Sequence, residues 1–254
     1  MPVPVFAVQA ATGLLGCSVL GRVANRIFES TDGSGEVIDG FPRWRWTLSV
    51  FGQALIFPAC VIAAMWAGAH APGGLGKWFL MSAQDLPGAA RWYVYALFAS
   101  QTRDMFPMPD GASMLMKVHH WVVICACVLS LTLPAGFGLF TFGTFLLELG
   151  SMTFNLRKLY ADSKLVEVIY QVCMFSSNFT AIAGGVYMLG LKEIPLVMKL
   201  TFFLSGVGVC VGRQLHAYKD FKSSKKSPAE DAAAETKSTS TSSAALPTAR
   251  RPRR

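Results

Sequence analysis

The sequence predicts an all-α, multi-pass transmembrane helical bundle of about seven spans, followed by a disordered cytoplasmic C-terminal tail. Three observations predict it. Of 254 residues, 52% are hydrophobic and 15% charged, whereas an average soluble domain carries roughly 25% charged residues. The mean hydropathy is +0.41, so too little charge is present to clothe a water-facing surface. The charge is also gathered into short clusters: residues 46–76 hold no Asp, Glu, Lys or Arg, and residues 118–156 hold only Glu148 besides His119 and His120. A helix crossing a hydrocarbon core near 30 Å needs roughly 20 mostly apolar residues at about 1.5 Å each, and several such runs are present.

The candidate spans are residues 3–20, 46–69, 87–106, 119–133, 137–154, 166–189 and 194–211. Arg91 interrupts the third, Lys199 interrupts the seventh, and the fourth and fifth are short; six spans is the nearest alternative. The first run lacks the basic leader of a cleaved signal peptide and is followed by Arg22 and Arg26, as an anchor that stays would be. Residues 119–154 would form a single helix of about 54 Å, too long to cross once. Pro134-Ala135-Gly136-Phe137-Gly138 divides them, because proline removes a helix donor and glycine permits a turn. Two short crossings, or one crossing and a kinked or re-entrant piece, both satisfy that length.

Cytoplasmic loops retain an excess of lysine and arginine. The segments after the first, third and fifth runs carry Arg22, Arg26, Arg43 and Arg45, then Arg103 and Lys117, then Arg157, Lys158 and Lys164, against Lys77, Arg91 and Lys192 in the alternate segments. The bias places the N-terminus in the lumen and the C-terminus in the cytoplasm, consistent with an odd number of spans. The chain divides into residues 1–42, an N-terminal span with its loop; 43–217, the main membrane domain; and 218–254, a Ser-, Thr-, Ala- and Lys-rich tail closing on Arg250-Arg251-Pro252-Arg253-Arg254. Such a tail buries too little apolar area to order itself. Its basic clusters suit anionic lipid head groups, and a solvated tail without a specific partner fits equally well; nucleic acid is not an expected partner.

All six cysteines lie in apolar runs, where thiols behave as small hydrophobes. Cys125 and Cys127, two apart, point about 200° from each other on a helix, so no metal site is expected. The sequon Asn178-Phe179-Thr180 falls in mid-span, beyond reach of glycosylation.

Ionisable groups inside lipid cost about 2.5–3.5 kcal/mol each on insertion scales and are therefore functional candidates. Here they are Asp104, His119, His120, Glu148, Glu167 and Lys199. Imidazole titrates near neutrality and serves as base, acid or nucleophile, making His119 and His120 candidate catalytic groups. Their plain alternative is a pair of interfacial histidines. Asp104, on the same predicted cytoplasmic side, could orient an imidazole or simply pair with Arg103. Glu148 and Asn155 fall at helical spacing with Arg157 beyond them, so an inward polar stripe results, suited either to substrate or to helix–helix bonding.

The order of these features resembles the TLC-domain family, named for the TRAM, Lag and CLN membrane proteins. Trp44-Arg45-Trp46-Thr47-Leu48-Ser49 looks like the family's entry to its second helix, and residues 95–106, ending Arg103-Asp104-Met105-Phe106, like its aspartate-terminated helix. Lys117-Val118-His119-His120 looks like its double-histidine start, and residues 146–157, with Glu148 and Asn155-Leu156-Arg157, like its glutamate-to-arginine helix. The resemblance covers residues 43–216. It implies an endoplasmic reticulum or other endomembrane protein of lipid metabolism or lipid homeostasis. As a catalyst it would transfer an acyl group from acyl-CoA as co-substrate, with His119 or His120 as base or transient acyl acceptor, Asp104 as orienter, and Glu148, Asn155 and Arg157 binding substrate; no resident cofactor or metal is implied. A ceramide synthase-like N-acyltransferase is a further expectation. The segment after the histidines departs from that subgroup, reading Glu148-Leu149-Gly150-Ser151-Met152-Thr153-Phe154 with no aspartate pair, and Gln53 stands where many shorter members place histidine. The alternative class is a non-catalytic lipid-binding or trafficking factor. A transporter or receptor is a third, without a clear internal repeat to support it.

Overall fold

The computed structural model describes residues 3–70, 72–106 and 114–224, and among them the regular elements are helices apart from one two-stranded hairpin. Packing divides the chain into two units, Met1–Gln214 and Leu215–Arg254; the described part of the second is the helical stretch from Leu215 to Ser224.

Helix α1 (Val3–Thr31) lies along α5 (Trp92–Met105). Their closeness depends on Gly13, where a Cβ would sit 2.4 Å from the Tyr95 ring. After α1, Asp32 turns the chain: its carboxylate accepts from the Ser34 hydroxyl at 2.6 Å and from the Ser34 and Trp44 amides at 3.1 and 3.0 Å. The hairpin β1 (Val37–Ile38) and β2 (Phe41–Pro42) closes through Asp39 and Gly40, at φ of 50° and 80°. Two successive positive φ values make the tight turn that matches strand twist, and Asp-Gly suits it.

Helix α2 (Arg43–Phe51) and α3 (Phe57–Ala69) form one rod joined by a π-helical turn, Gly52–Ile56. Pro58 causes the wide turn: it has no N–H for the carbonyl four residues back, and its ring would clash there. The ladder therefore widens, with the Phe57 amide donating to the Gly52 carbonyl. The short α4 (Gly74–Trp78) then tucks Trp78 fully inside. The carbonyls of Leu80, Met81 and Phe79 accept from the Gly136, Phe137 and Leu139 amides at 3.1, 3.1 and 3.3 Å, satisfying donors at the start of α7 (Phe137–Leu159) that a helix N-terminus leaves open.

Helix α6 (Met114–Ser130) ends before Pro134, and Gly136 at φ 79° starts α7, so the predicted break falls where proline and glycine place it. Ser163 caps α8 (Lys164–Leu189), which returns antiparallel beside α7, and α9 (Leu196–Ser224) follows. Helix α9 thus runs past residue 217, where the sequence predicts the tail to begin; the tail from 225 onward lies outside the described residues.

Among the described residues, five helices are long and apolar enough to cross a membrane: Val5–Thr31, Arg43–Ala69, Phe137–Leu159, Lys164–Leu189 and Leu196–Tyr218. The other two expected spans are shorter, α6 at 17 residues and α5 at 14. Helix α5 is short because Gly88–Arg91 winds as a 3₁₀ turn and Arg91 folds back into the preceding loop. The Arg91 guanidinium, 2% exposed, donates to the Ala83 and Leu86 carbonyls at 2.6 and 3.1 Å and sits 5.2 Å over the Phe6 ring. The charge that interrupts the third run is thus held by backbone dipoles and an aromatic face.

Candidate functional site

Helix α7 carries a polar stripe on its inward face. Glu148, 5% exposed, accepts a hydrogen bond on Oε2 from Gln53 Nε2 at 2.7 Å, and Gln53 Oε1 accepts from Asn155 Nδ2 at 2.8 Å. Gln53 sits in the π turn, where the widened backbone directs it at two positions two turns apart on α7. One amide uses a donor and an acceptor to bind both, and that complementarity lets three polar side chains share an apolar interior.

Beside this bridge lies a cavity of about 120 Å³ among α6, α7, α8 and α9. Its walls are mostly apolar, with Val123, Leu139, Phe140 and Phe202 among them. Polar groups reach it from three elements: His119 from α6, Glu148 with Thr144 from α7, and Arg213 with Ser205 from α9. Arg213 is fixed by donating from Nη1 to the Ser151 hydroxyl at 3.0 Å and from Nη2 to the Leu147 carbonyl at 2.9 Å, with Met174 Sδ 3.4 Å away. Its Nε is buried and has no hydrogen-bond partner among the described residues. Gly150 makes that approach feasible, since a Cβ there would lie 2.5 Å from an Arg213 nitrogen.

The structure separates the predicted site residues. His119 lines the cavity and makes no hydrogen bond among the described residues, its ring standing 5.5 Å from that of His120. His120 instead points to Gln101, with Nδ1 against Oε1. Asp104, expected to orient an imidazole, takes its hydrogen bonds from Arg103, Nε to Oδ1 at 2.8 Å and Nη2 to Oδ2 at 3.1 Å, while Arg103 Nη2 also donates to Ser49. Of the predicted substrate-binding trio, Glu148 reaches the cavity, Asn155 is taken up by Gln53, and Arg157 turns to a salt bridge with Glu167. Lys199 stands in the first turns of α9, away from the cavity lining. No cluster of three or more His, Cys, Asp or Glu able to hold a metal occurs among the described residues.

Sequence reasoning missed Arg213, Gln101 and the bridging role of Gln53. Arg213 comes two residues after the seventh apolar run, and an arginine that continues a long apolar helix is itself a signal. The arrangement offers an imidazole, a carboxyl group and an anchored guanidinium lining one mostly apolar cavity. An imidazole there can accept a proton, and a fixed N–H can stabilise developing charge on a carbonyl oxygen. Comparison with family models, with curated proteins and with solved structures finds no match.

Proposed function

We propose that this chain is a TLC-like integral membrane protein of lipid metabolism that receives an acyl chain in the cavity among α6 to α9 and transfers it from acyl-CoA to a lipid acceptor. The observation that carries this reading is the His119 imidazole, without a hydrogen-bond partner among the described residues, in a mostly apolar cavity that Glu148 and Arg213 also line. A cavity with one fixed cation and one carboxylate suits an uncharged linkage, such as a thioester, better than a free fatty carboxylate. In the transfer, His119 takes the proton of the acceptor hydroxyl or amine as that atom bonds the carbonyl carbon. The carbon–sulfur bond then breaks, and the proton leaves with the CoA sulfur.

The proposed topology has seven crossings, α5 and α6 among them, in the endoplasmic reticulum or a related endomembrane. The N-terminus is lumenal and the C-terminus cytoplasmic, with basic loop residues available to the CoA phosphates. A second reading, a non-catalytic lipid carrier, is favoured by one observation: Asp104 is engaged by Arg103, leaving no carboxylate hydrogen-bonded to His119 among the described residues.

Purified chain in nanodiscs, supplied with labelled acyl-CoA and a panel of lipid acceptors, tests both. Transfer that falls by about 10²-fold or more in His119→Ala, with acyl binding retained, is the expected result. Wild-type protein that binds acyl chains without transferring them would replace the enzyme with the carrier.

A further inference from the structure

Three side chains that the transfer step leaves unused form one hydrogen-bonded chain ending at the cavity. Asn155 Nδ2 donates to Gln53 Oε1 at 2.8 Å, and Gln53 Nε2 donates to Glu148 Oε2 at 2.7 Å. All three residues are buried. Glu148 lines the cavity, and its other oxygen, Oε1, has no hydrogen-bond partner among the described residues. Resting on the lipid-acceptor reading above, we infer that Glu148 holds a hydrogen-bond donor of that acceptor, a second hydroxyl or amine beside the one that reacts at His119. Asn155 is the positioning residue, keeping Glu148 in its accepting form by fixing the direction of the Gln53 amide.

A carboxylate can only accept. Gln53 must therefore turn its NH₂ group to Glu148, which leaves its carbonyl facing Asn155, and Asn155 answers with its own NH₂. Run in reverse, the chain would need a proton on Glu148, and the oxygen left for the cavity would be a neutral carbonyl in place of a charged acceptor. Charge-assisted hydrogen bonds are roughly twice as strong as neutral ones, so the direction of the chain decides how firmly a donor is held. A carboxylate in apolar surroundings also needs an opposite charge. Arg213, anchored to Ser151 and to the Leu147 carbonyl, brings one to the same lining.

The need for a second donor follows from counting protons. The reacting hydroxyl or amine passes its proton to His119, and an acceptor covered by lipid without a partner is costly. A lipid with one hydroxyl satisfies one of the two groups; a lipid with two donors satisfies both.

The test sets a long-chain 1,2-diol against the 1-alcohol of the same length, each displacing a fluorescent lipid probe from the full chain in nanodiscs. The ratio of the two affinities is read, because it does not depend on the folded fraction. Wild type should favour the diol about tenfold. Asn155→Asp keeps the volume but can only accept, so Gln53 must reverse. The preference should then fall to about threefold, half the free energy, although no atom at the cavity has been replaced. Adding Glu148→Gln to Asn155→Asp gives the reversed chain all its hydrogen bonds, since the introduced amide donates to Gln53. Heat stability should return toward wild type while the preference stays near threefold, which separates direction from folding.

A preference that Asn155→Asp leaves unchanged, or that the second substitution restores, overturns the relay. Equal binding of both probes by wild type overturns the role of Glu148. A wild type that shows the preference but moves no acyl group from acyl-CoA removes the transfer reading and leaves this inference standing; one that binds neither probe removes both.

Discussion

Glycine does opposite things in the two halves of this molecule. Around α3, α4 and the start of α7 it lets heavy groups touch: a Cβ at Gly68 would lie 2.2 Å from the Trp78 ring, and one at Gly138 would lie 2.7 Å from the backbone of Trp78 and Phe79. Among α6 to α9 one glycine, Gly150, also admits close neighbours, Ser177 and Arg213, but Gly143, Gly184 and Gly206 line the cavity with nothing within 4 Å of a built Cβ and so leave space. The first half is a filled interior in which Ala64, Trp78, Tyr93 and Leu97 are wholly buried. The second half is held open. The same residue type marks a scaffold in one place and a site in the other, and only the neighbours tell which.

The largest expected effect lies at the boundary between the halves. Gln53→Ala removes the partner of both Glu148 and Asn155 and should cost about 2–4 kcal/mol, since each buried group then loses a hydrogen bond without regaining water. Unfolding in detergent would show it, and a loss below about 1 kcal/mol would mean that the bridge is not what closes the scaffold. Next is Gly138→Ala, which should destabilise by about 1–3 kcal/mol because the added methyl meets backbone that cannot swing aside. Gly206→Ala should instead stabilise by up to about 1 kcal/mol through helix propensity. Equal signs for these two in thermal melts would break the contrast.

The smallest effect concerns the turn after α1. The Ser34 hydroxyl and amide, followed by the Trp44 amide, hold the Asp32 carboxyl below its usual range. A carboxylate with a lowered folded pKa contributes stability above its unfolded pKa, near 4, and loses it as pH falls through the lower folded value. Amide exchange at Ser34 and Trp44 should therefore quicken only in acid below about pH 4, and Asp32→Asn should abolish that dependence.

Much of this architecture is legible along the chain. Lipid solvation demands long apolar runs with satisfied backbone, so α1, the α2 and α3 rod, α7, α8 and α9 can be read from hydropathy alone. Helix α5 could not. Its residues are as much core as span, and the fate of Arg91 depends on carbonyls and a ring brought together by folding. The site shows the same division. Spacing put Glu148 and Asn155 on one face, and the structure keeps them there. Spacing carries no information on which partner reaches them, so Gln53 was noted only as a departure, and Arg213 went unseen. Adjacent histidines on a helix project about 100° apart, so sequence allows one to face inward while the other meets a neighbour, but not which; the structure gives His120 to Gln101 and His119 to the cavity.

The π turn at Gly52–Ile56 also acts as a phase shifter. One residue more per turn advances everything downstream by about 100° around the axis. Phe57, Val61 and Ala64, all buried, therefore face inward only because the wide turn is present. A single-residue deletion within 52–56 would return the rod to even winding and swing that stripe out of the interior, while the amide of Gln53 lost its reach across to α7. Chain length at this point is accordingly fixed by the packing of the rod on both sides of the turn.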